Sequence, residues 1–292
     1  MIKKIIKLII PPIFIKIYQI LLMSSNTKKD EKNIENENNI RWKGNYNSWQ
    51  EAQKECAGYD DSIIIQKVLK STLMVKNGEA VYERDSVLFD KIEYNWSLLA
   101  TLLKIAINYE NKLSIIDFGG ALGSTYFQNR YFLNDLKEIN WKVVEQEHFV
   151  EKGKEYIQND ELSFYNSIEE SLKTKDTSIL LLSSVIQYLD KPYTWLEKFL
   201  SYDFEYIIID RTAFIKQIDN KNQDERLIIQ YIPENIYKAS YPVWFFNEEK
   251  FLKKILEKYE LITTYTQTVE NSIQLEDNAK GYWNGFLLKK RI

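Results

Sequence analysis

The residues best placed to do chemistry open at Ile115, in the run Ile-Ile-Asp-Phe-Gly-Gly-Ala-Leu-Gly that ends on Gly123. β-Branched residues followed by Gly119, Gly120, Ala121 and Gly123 predict a strand, a tight turn and a helix start. Glycines let the backbone turn sharply and approach a ligand, and a helix N-terminus offers unpaired N–H groups. With Asp117 at the strand end, this is the local physics of a nucleotide-type cradle. A second acid, Glu145, lies at the tip of the next strand-like run, where a carboxylate can accept both hydroxyls of a ribose. Gln146 beside it and Phe149 one helical turn on are placed to border an adenine. Asn166, after the third strand, is placed to meet the adenine amino group. A third run, SILLLSSVIQYL (178–189), is a buried strand ending in Ser183 and Ser184, followed by Gln187 and Tyr188. These side chains either face the reactive end of the cofactor or cap the helix that follows.

Groups able to move a proton or hold an anion are few. Asp210 ends the strand YIIID (206–210), and Arg211 follows it. His148 is the single histidine, just beyond Glu145. Glu83, Arg84 and Asp85 lie together in YERD (82–85). Asp210, then His148 and Asp85, are the candidate general bases, because a nucleophilic hydroxyl needs its proton removed. Glu83, Arg84, Tyr188, Arg211, Tyr237 and Trp244 are the candidate acceptor contacts. Arginines suit a carboxylate or phosphate, and aromatic rings such as Tyr237, Tyr241 and Trp244 suit the face of a sugar. One histidine and one cysteine exclude the multi-histidine zinc patterns; a carboxylate-only Mg²⁺ site stays open, nothing in the sequence points to one, and no metal is expected.

The elements that must position these groups alternate. Strands are expected at 113–118, 141–146, 162–165, 178–184 and 206–210. Helical stretches lie around 124–138, 147–158, 167–173 and 192–201. Such alternation predicts a parallel sheet covered on both faces. After a helix at 248–259, the runs 261–267 and 281–290 have no helix between them and predict a closing antiparallel hairpin. Five α/β units plus that hairpin make the seven-stranded, Rossmann-like α/β plan of class I methyltransferases, which nicotinamide-binding Rossmann domains lack. Here the usual D-x-G-x-G-x-G pattern has Ala121 at its middle glycine. In such enzymes the turn cradles S-adenosyl-L-methionine. A nicotinamide-dependent oxidoreductase and a non-catalytic scaffold in glycan assembly remain as rival readings. Upstream, Ile92, Trp96, Leu99, Leu103 and Ala106 form one apolar helical stripe.

The bulk composition is that of a globular protein, with 45% hydrophobic and 28% charged residues. A net charge of −3 and the lack of a basic stripe argue against a nucleic-acid partner. The lone Cys56 fits a reducing, cytoplasmic setting. Residues 1–23 form a separate basic arm, with Lys3, Lys4, Lys7 and Lys16 and the pair Pro11-Pro12. Its apolar run is too short to span a bilayer. It reads either as an amphipathic anchor on the inner face of an anionic membrane or as an arm on the body or a partner subunit. Residues 24–40 are a polar linker, 41–110 an aromatic lid or cap, and 111–292 the Rossmann-like domain, with an acceptor-recognition insertion at about 211–247. The oligomeric state is not legible.

The motifs Trp42, Gly44, Tyr46, Ser48 and Trp49, then GYD (58–60), YERD, DFGGALGSTYFQNR, VVEQ, SSVIQYL, IDRT and IQYIPENIYKASYPVWFF, resemble a family of bacterial methyltransferases associated with surface-polysaccharide loci. The resemblance runs from Arg41 to the C-terminus. It implies class I methyl transfer onto a small-molecule or glycan acceptor, a sugar of the cell surface.

Overall fold

The computed structural model describes residues 40–56, 61–84, 86–174, 177–216, 225–234, 238–266, 272–275 and 279–291. The arm and most of the linker lie outside them. In chain order the elements are β1 (Arg41–Tyr46), α1 (Trp49–Glu55), α2 (Asp61–Lys76), β2 (Tyr82–Arg84), β3 (Val87–Phe89), α3 (Trp96–Asn108), β4 (Lys112–Phe118), α4 (Ser124–Leu133), β5 (Glu138–Val144) and α5 (Glu147–Lys152). A π-turn, Gly153–Ile157, continues α5. Then come β6 (Leu162–Tyr165), α6 (Ile168–Leu172), β7 (Ile179–Ser183), a 3₁₀ turn (Ile186–Tyr188), α7 (Pro192–Ser201), β8 (Tyr206–Lys216), β9 (Arg226–Ile232), β10 (Ala239–Phe245), α8 (Glu248–Ile255), β11 (Tyr259–Thr266), β12 (Ile273–Gln274) and β13 (Lys280–Lys290).

The main sheet runs β11-β13-β8-β7-β4-β5-β6, with the short β12 paired to β13. Strands β4 to β8 are mutually parallel, and β13 is antiparallel to both β8 and β11. This order, with its antiparallel strand inserted beside β8, is the expected seven-stranded Rossmann-like sheet. Side chains alternate faces along each strand. Ile179, Leu181 and Ile208 pack with α2–α5 on one face, and Leu180, Leu182 and Ile207 with α6–α8 on the other.

Two expectations are revised. First, β8 continues to Lys216, and β9 and β10 follow it as strands, so the described residues of 211–247 are largely β. Strands β9 and β10 join β1 in a second sheet ordered β1-β9-β10, with Arg41 opposite Tyr231. Its first strand comes from the start of the cap segment. Helix α1 covers one face through Ala52 against Leu227 and Ile229. The other face rests on the far ends of β8 and β13, where Trp42 meets Phe245 and Trp283 at 5.6 and 5.7 Å.

Second, the apolar stripe of α3 starts later than its spacing suggests. Leu98, Leu99, Leu102, Ile105 and Ala106 are buried, but Trp96, the helix's first residue, is 61% exposed. Its ring packs instead on Tyr94 and on Phe132 of α4, at 4.9 and 5.4 Å.

Candidate functional site

The glycine-rich turn joins β4 to α4 at the carboxyl edge of the parallel strands, where ligands bind in open α/β sheets. Gly119 has φ +74 and its N–H donates to Val144 O on β5 at 2.9 Å. A side-chain carbon on Gly120 would lie 2.6 Å from the Asp117 carboxylate, so no larger residue fits without movement. Ala121 has φ +50, the left-handed region that an L-residue enters at a cost of about 1–2 kcal/mol. Asp117 is buried and accepts from the Trp141 indole N–H at 3.0 Å. Burial pushes its carboxyl up to about 7, against the Trp141 bond; Glu145 raises it further and Arg211 pulls it down.

Glu145 follows β5 directly and reaches over the turn. One carboxylate oxygen accepts from Ala121 N at 3.3 Å and the other from Gln146 N at 2.8 Å. Burial pushes this carboxyl up as well, with the two N–H bonds working against it. A carboxylate oxygen has two lone pairs, so each keeps one for a hydroxyl of a diol. His148 and Phe149, in the first turn of α5, have ring centroids 4.9 Å apart beside this acid. Asn166 is exposed after β6; its backbone N–H donates to Glu170, while Ser167 caps α6.

The ends of β7 and β8 build the other half. Ser183 Oγ donates to Asp210 at 2.7 Å, and the Asn95 side-chain amide donates to the second Asp210 oxygen at 2.9 Å. Arg211 Nε lies 3.7 Å from the same carboxylate. The Ser184 N–H donates to Asp210 O, and buried Gln187 donates to Ser184 Oγ and Arg211 O. Ser184 and Arg211 have φ of +53 and +47. With Ala121, three non-glycine residues in the left-handed region thus stand at adjoining strand ends. Each costs of order 1–3 kcal/mol, a strain that gathers at functional sites.

A cavity of about 140 Å³ opens over Ser183, Asp210 and Arg211, with Arg84, Tyr94 and Trp96 among its walls. Glu83 does not face it. That carboxyl group is buried and accepts from Ser124 Oγ, at the N-terminus of α4, and from Ser86 N. Tyr188 is drawn toward the second sheet, donating to Gln230 at 2.9 Å and meeting the Tyr241 ring at 5.4 Å. Trp244 packs between the main core and the α1 cluster and is not a cavity wall. His148 does not line the cavity either. Asp85 and Tyr237 lie outside the described residues.

The sequence did not single out Asn95, Tyr94 or Gln128, all cavity walls, and placed Trp96 only in an apolar helical stripe. A signal for Asn95 was present: an Asn before an apolar helical run is an N-cap pattern, and its side chain does accept from Leu98 N at 3.1 Å. Among the described residues no cluster of three metal-ligating side chains occurs, and no helix is long and apolar enough to cross a membrane.

No protein-family model matches the sequence, and no curated protein matches it. Several solved structures are similar in shape. The N-terminal domain of EvdMO1, solved in the presence of S-adenosylhomocysteine and D-fucose, is 11% identical, with 80% of this chain and 99% of that one covered at a TM-score of 0.44. Magnesium protoporphyrin IX methyltransferase from Synechocystis PCC 6803 with bound S-adenosylmethionine is 11% identical over 91% and 100%, at 0.40. DhpI in a complex with S-adenosylmethionine is 8% identical over 84% and 99%, at 0.41. The order and direction of the strands themselves define the fold.

Proposed function

We propose that the chain is an S-adenosylmethionine-dependent methyltransferase that methylates a hydroxyl of a sugar or glycan precursor. The observation that carries this reading is the Glu145 carboxylate held against Ala121 of the glycine turn, at neighbouring strand ends of the seven-stranded sheet. S-Adenosylmethionine supplies the methyl as an electrophilic carbon on a sulfonium. Glu145 holds the ribose diol; Gln146, Phe149 and Asn166 border the adenine. Asp117 and the turn from Gly119 to Gly123 shape the aminocarboxypropyl end, with Ser183, Ser184 and Gln187 on the methyl side.

The residues around the cavity then have two tasks. They align the acceptor oxygen and exclude water, which can supply most of the acceleration for an in-line transfer. They also take the hydroxyl proton, which passes to Asp210 directly or through Ser183 Oγ. Arg84 and Arg211 meet an anionic group of the acceptor. His148 belongs to the ribose side. Residues 1–22 serve as a peripheral anchor on the inner face of the membrane, beside cell-surface glycan assembly.

Calorimetry with S-adenosylmethionine, S-adenosylhomocysteine and NAD tests the reading. The two adenosyl compounds should bind and NAD should not; binding of NAD alone would overturn it. Glu145→Ala should weaken S-adenosylhomocysteine by roughly 10- to 100-fold, the effect of one or two charge-assisted hydrogen bonds. Unchanged affinity in that variant would remove the ribose assignment.

A further inference from the structure

Trp96 is a large aromatic side chain, 61% exposed, at the rim of the cavity. It does not stand alone. Tyr94 lies 4.9 Å from it and Phe132 5.4 Å, with Tyr94 and Phe132 themselves 5.0 Å apart. Tyr94 lines the same cavity. Tyr94 and Phe132 are half-buried, Phe132 against the main core, and Trp96 stands out from them with an apolar surface left exposed at a polar cavity mouth, as at a binding surface. Its backbone is also fixed. Trp96 follows Asn95, whose side chain both caps α3 and ties to Asp210 at 2.9 Å. The rings are therefore set at a defined height over the ends of β7 and β8.

The ligand chemistry follows from the contrast between rim and floor. The floor offers a hydroxyl, a carboxylate and a guanidinium from Ser183, Asp210 and Arg211, with the Gln128 amide on the wall. The rim offers two electron-rich rings, Tyr94 and Trp96. A pyranose fits both, because its C–H face is apolar and lies against the negative face of an aromatic ring, while its edge is lined with hydroxyls. Arg84 adds charge. It lines the cavity, forms no ion pair among the described residues, and stands over the Phe89 ring at 5.8 Å.

We propose that Tyr94 and Trp96 form the stacking subsite for the acceptor's sugar ring, and that Arg84 receives an anionic substituent of that ring. The proposal rests on the methyltransferase reading only for what happens to the ring once bound. It moves the stacking surface from Tyr241 and Trp244 of the second sheet to the segment leading into α3.

Saturation-transfer NMR on the full chain with S-adenosylhomocysteine tests it, using methyl β-glucuronide and methyl β-glucoside as probes. Both sugars should receive magnetisation through their C–H protons, the glucuronide binding more tightly. Trp96→Ala should weaken both by about tenfold, the usual scale for removing an aromatic anchor, and Trp96→Phe should retain most of the binding. Arg84→Gln should abolish only the preference for the glucuronide. S-Adenosylhomocysteine affinity should stay at the wild-type value in all three variants. Wild-type sugar binding in Trp96→Ala overturns the proposal. So does a loss of S-adenosylhomocysteine affinity in that variant, or a wild-type protein that binds S-adenosylhomocysteine and neither sugar. A protein that binds the sugars through Trp96 but not S-adenosylhomocysteine keeps the subsite and defeats the methyltransferase reading.

Discussion

Asn95 and Asp210 meet across the mouth of the main sheet, the amide of one donating to the carboxylate of the other at 2.9 Å. Ser183 holds the second carboxylate oxygen at 2.7 Å. One buried group thus joins the strand ends below to the N-cap of α3 above. The proposed function gives it two tasks, proton acceptance and placement of the aromatic rim, and they separate by substitution. In Asp210→Asn the new amide oxygen can still accept from Asn95, and its nitrogen can turn to Ser183 Oγ. The bridge survives, but the base is gone. Turnover should fall by about 10²- to 10⁴-fold, with acceptor KM and melting temperature near wild type. In Asn95→Ala the base remains and the bridge is cut, so KM should rise while kcat holds. Removing the cap also costs about 1 kcal/mol of stability. Steady-state kinetics on the sugar acceptor and thermal melts decide; equal kcat losses in both variants would merge the two roles.

Ala121 sits where the usual motif has its middle glycine, and its φ of +50 explains why glycine is common there. Ala121→Gly relieves a left-handed strain of about 1–2 kcal/mol and adds about 0.5–1 kcal/mol of unfolded-chain entropy. The melting temperature should therefore rise by roughly 1–3 °C. S-Adenosylhomocysteine should bind as before, because the backbone N–H that meets Glu145 is retained. A lower melting temperature would mean that the Ala121 methyl packs well enough to outweigh its strain.

The parallel strands and the closing hairpin were legible in sequence because each is a local pattern: short β-branched runs, helices between them, and none at the end. Glu145 was legible because a strand tip has a fixed relation to the turn of the neighbouring strand. The pairing of β1 with β9 was not, since Arg41 and Tyr231 meet across most of the chain and neither run's periodicity names its partner. Trp96 misled for a different reason. Helical spacing predicts which side of a helix a residue occupies, but not whether the sheet extends beneath it. Glu83 had the residue type of a ligand contact, yet helix α4 has glycine as its N-cap with no side-chain cap bond, and Glu83 bonds Ser124 at its first turn.

The sequence of residues 1–22 gives a prediction from its lysines and apolar residues. Four lysines near an anionic surface contribute about 1 kcal/mol each, and a modest apolar face adds to this, enough for reversible attachment but not insertion. The full chain should co-sediment with phosphatidylserine-containing vesicles at low salt and leave them at high salt. A chain lacking residues 1–22 should stay in the supernatant. Equal sedimentation of both chains would move the attachment elsewhere, and failure of the full chain to sediment would remove it.

The last prediction concerns pH and stability. Burial raises the Asp117 carboxyl from an ordinary 3.8 to about 7. Between those values the folded chain holds a proton at Asp117 that the unfolded chain has lost, so unfolding releases a proton there. Stability contributed by this site is accordingly complete below about pH 4, declines as pH rises toward 7, and is flat above. The full shift corresponds to roughly 4 kcal/mol, an upper bound for a group whose surroundings relax. Glu145, also pushed up by burial, slopes the same way, so wild-type melts alone do not isolate Asp117. Asp117→Asn does. Its side-chain oxygen still accepts from the Trp141 indole, it carries no charge to bury, and it has no proton to lose. Melting temperatures of the two proteins should lie closest near pH 4 and diverge steadily in favour of the variant up to about pH 7, the gap then holding to pH 8. Parallel curves across that range would mean that Asp117 ionises in the folded chain as readily as in the unfolded one.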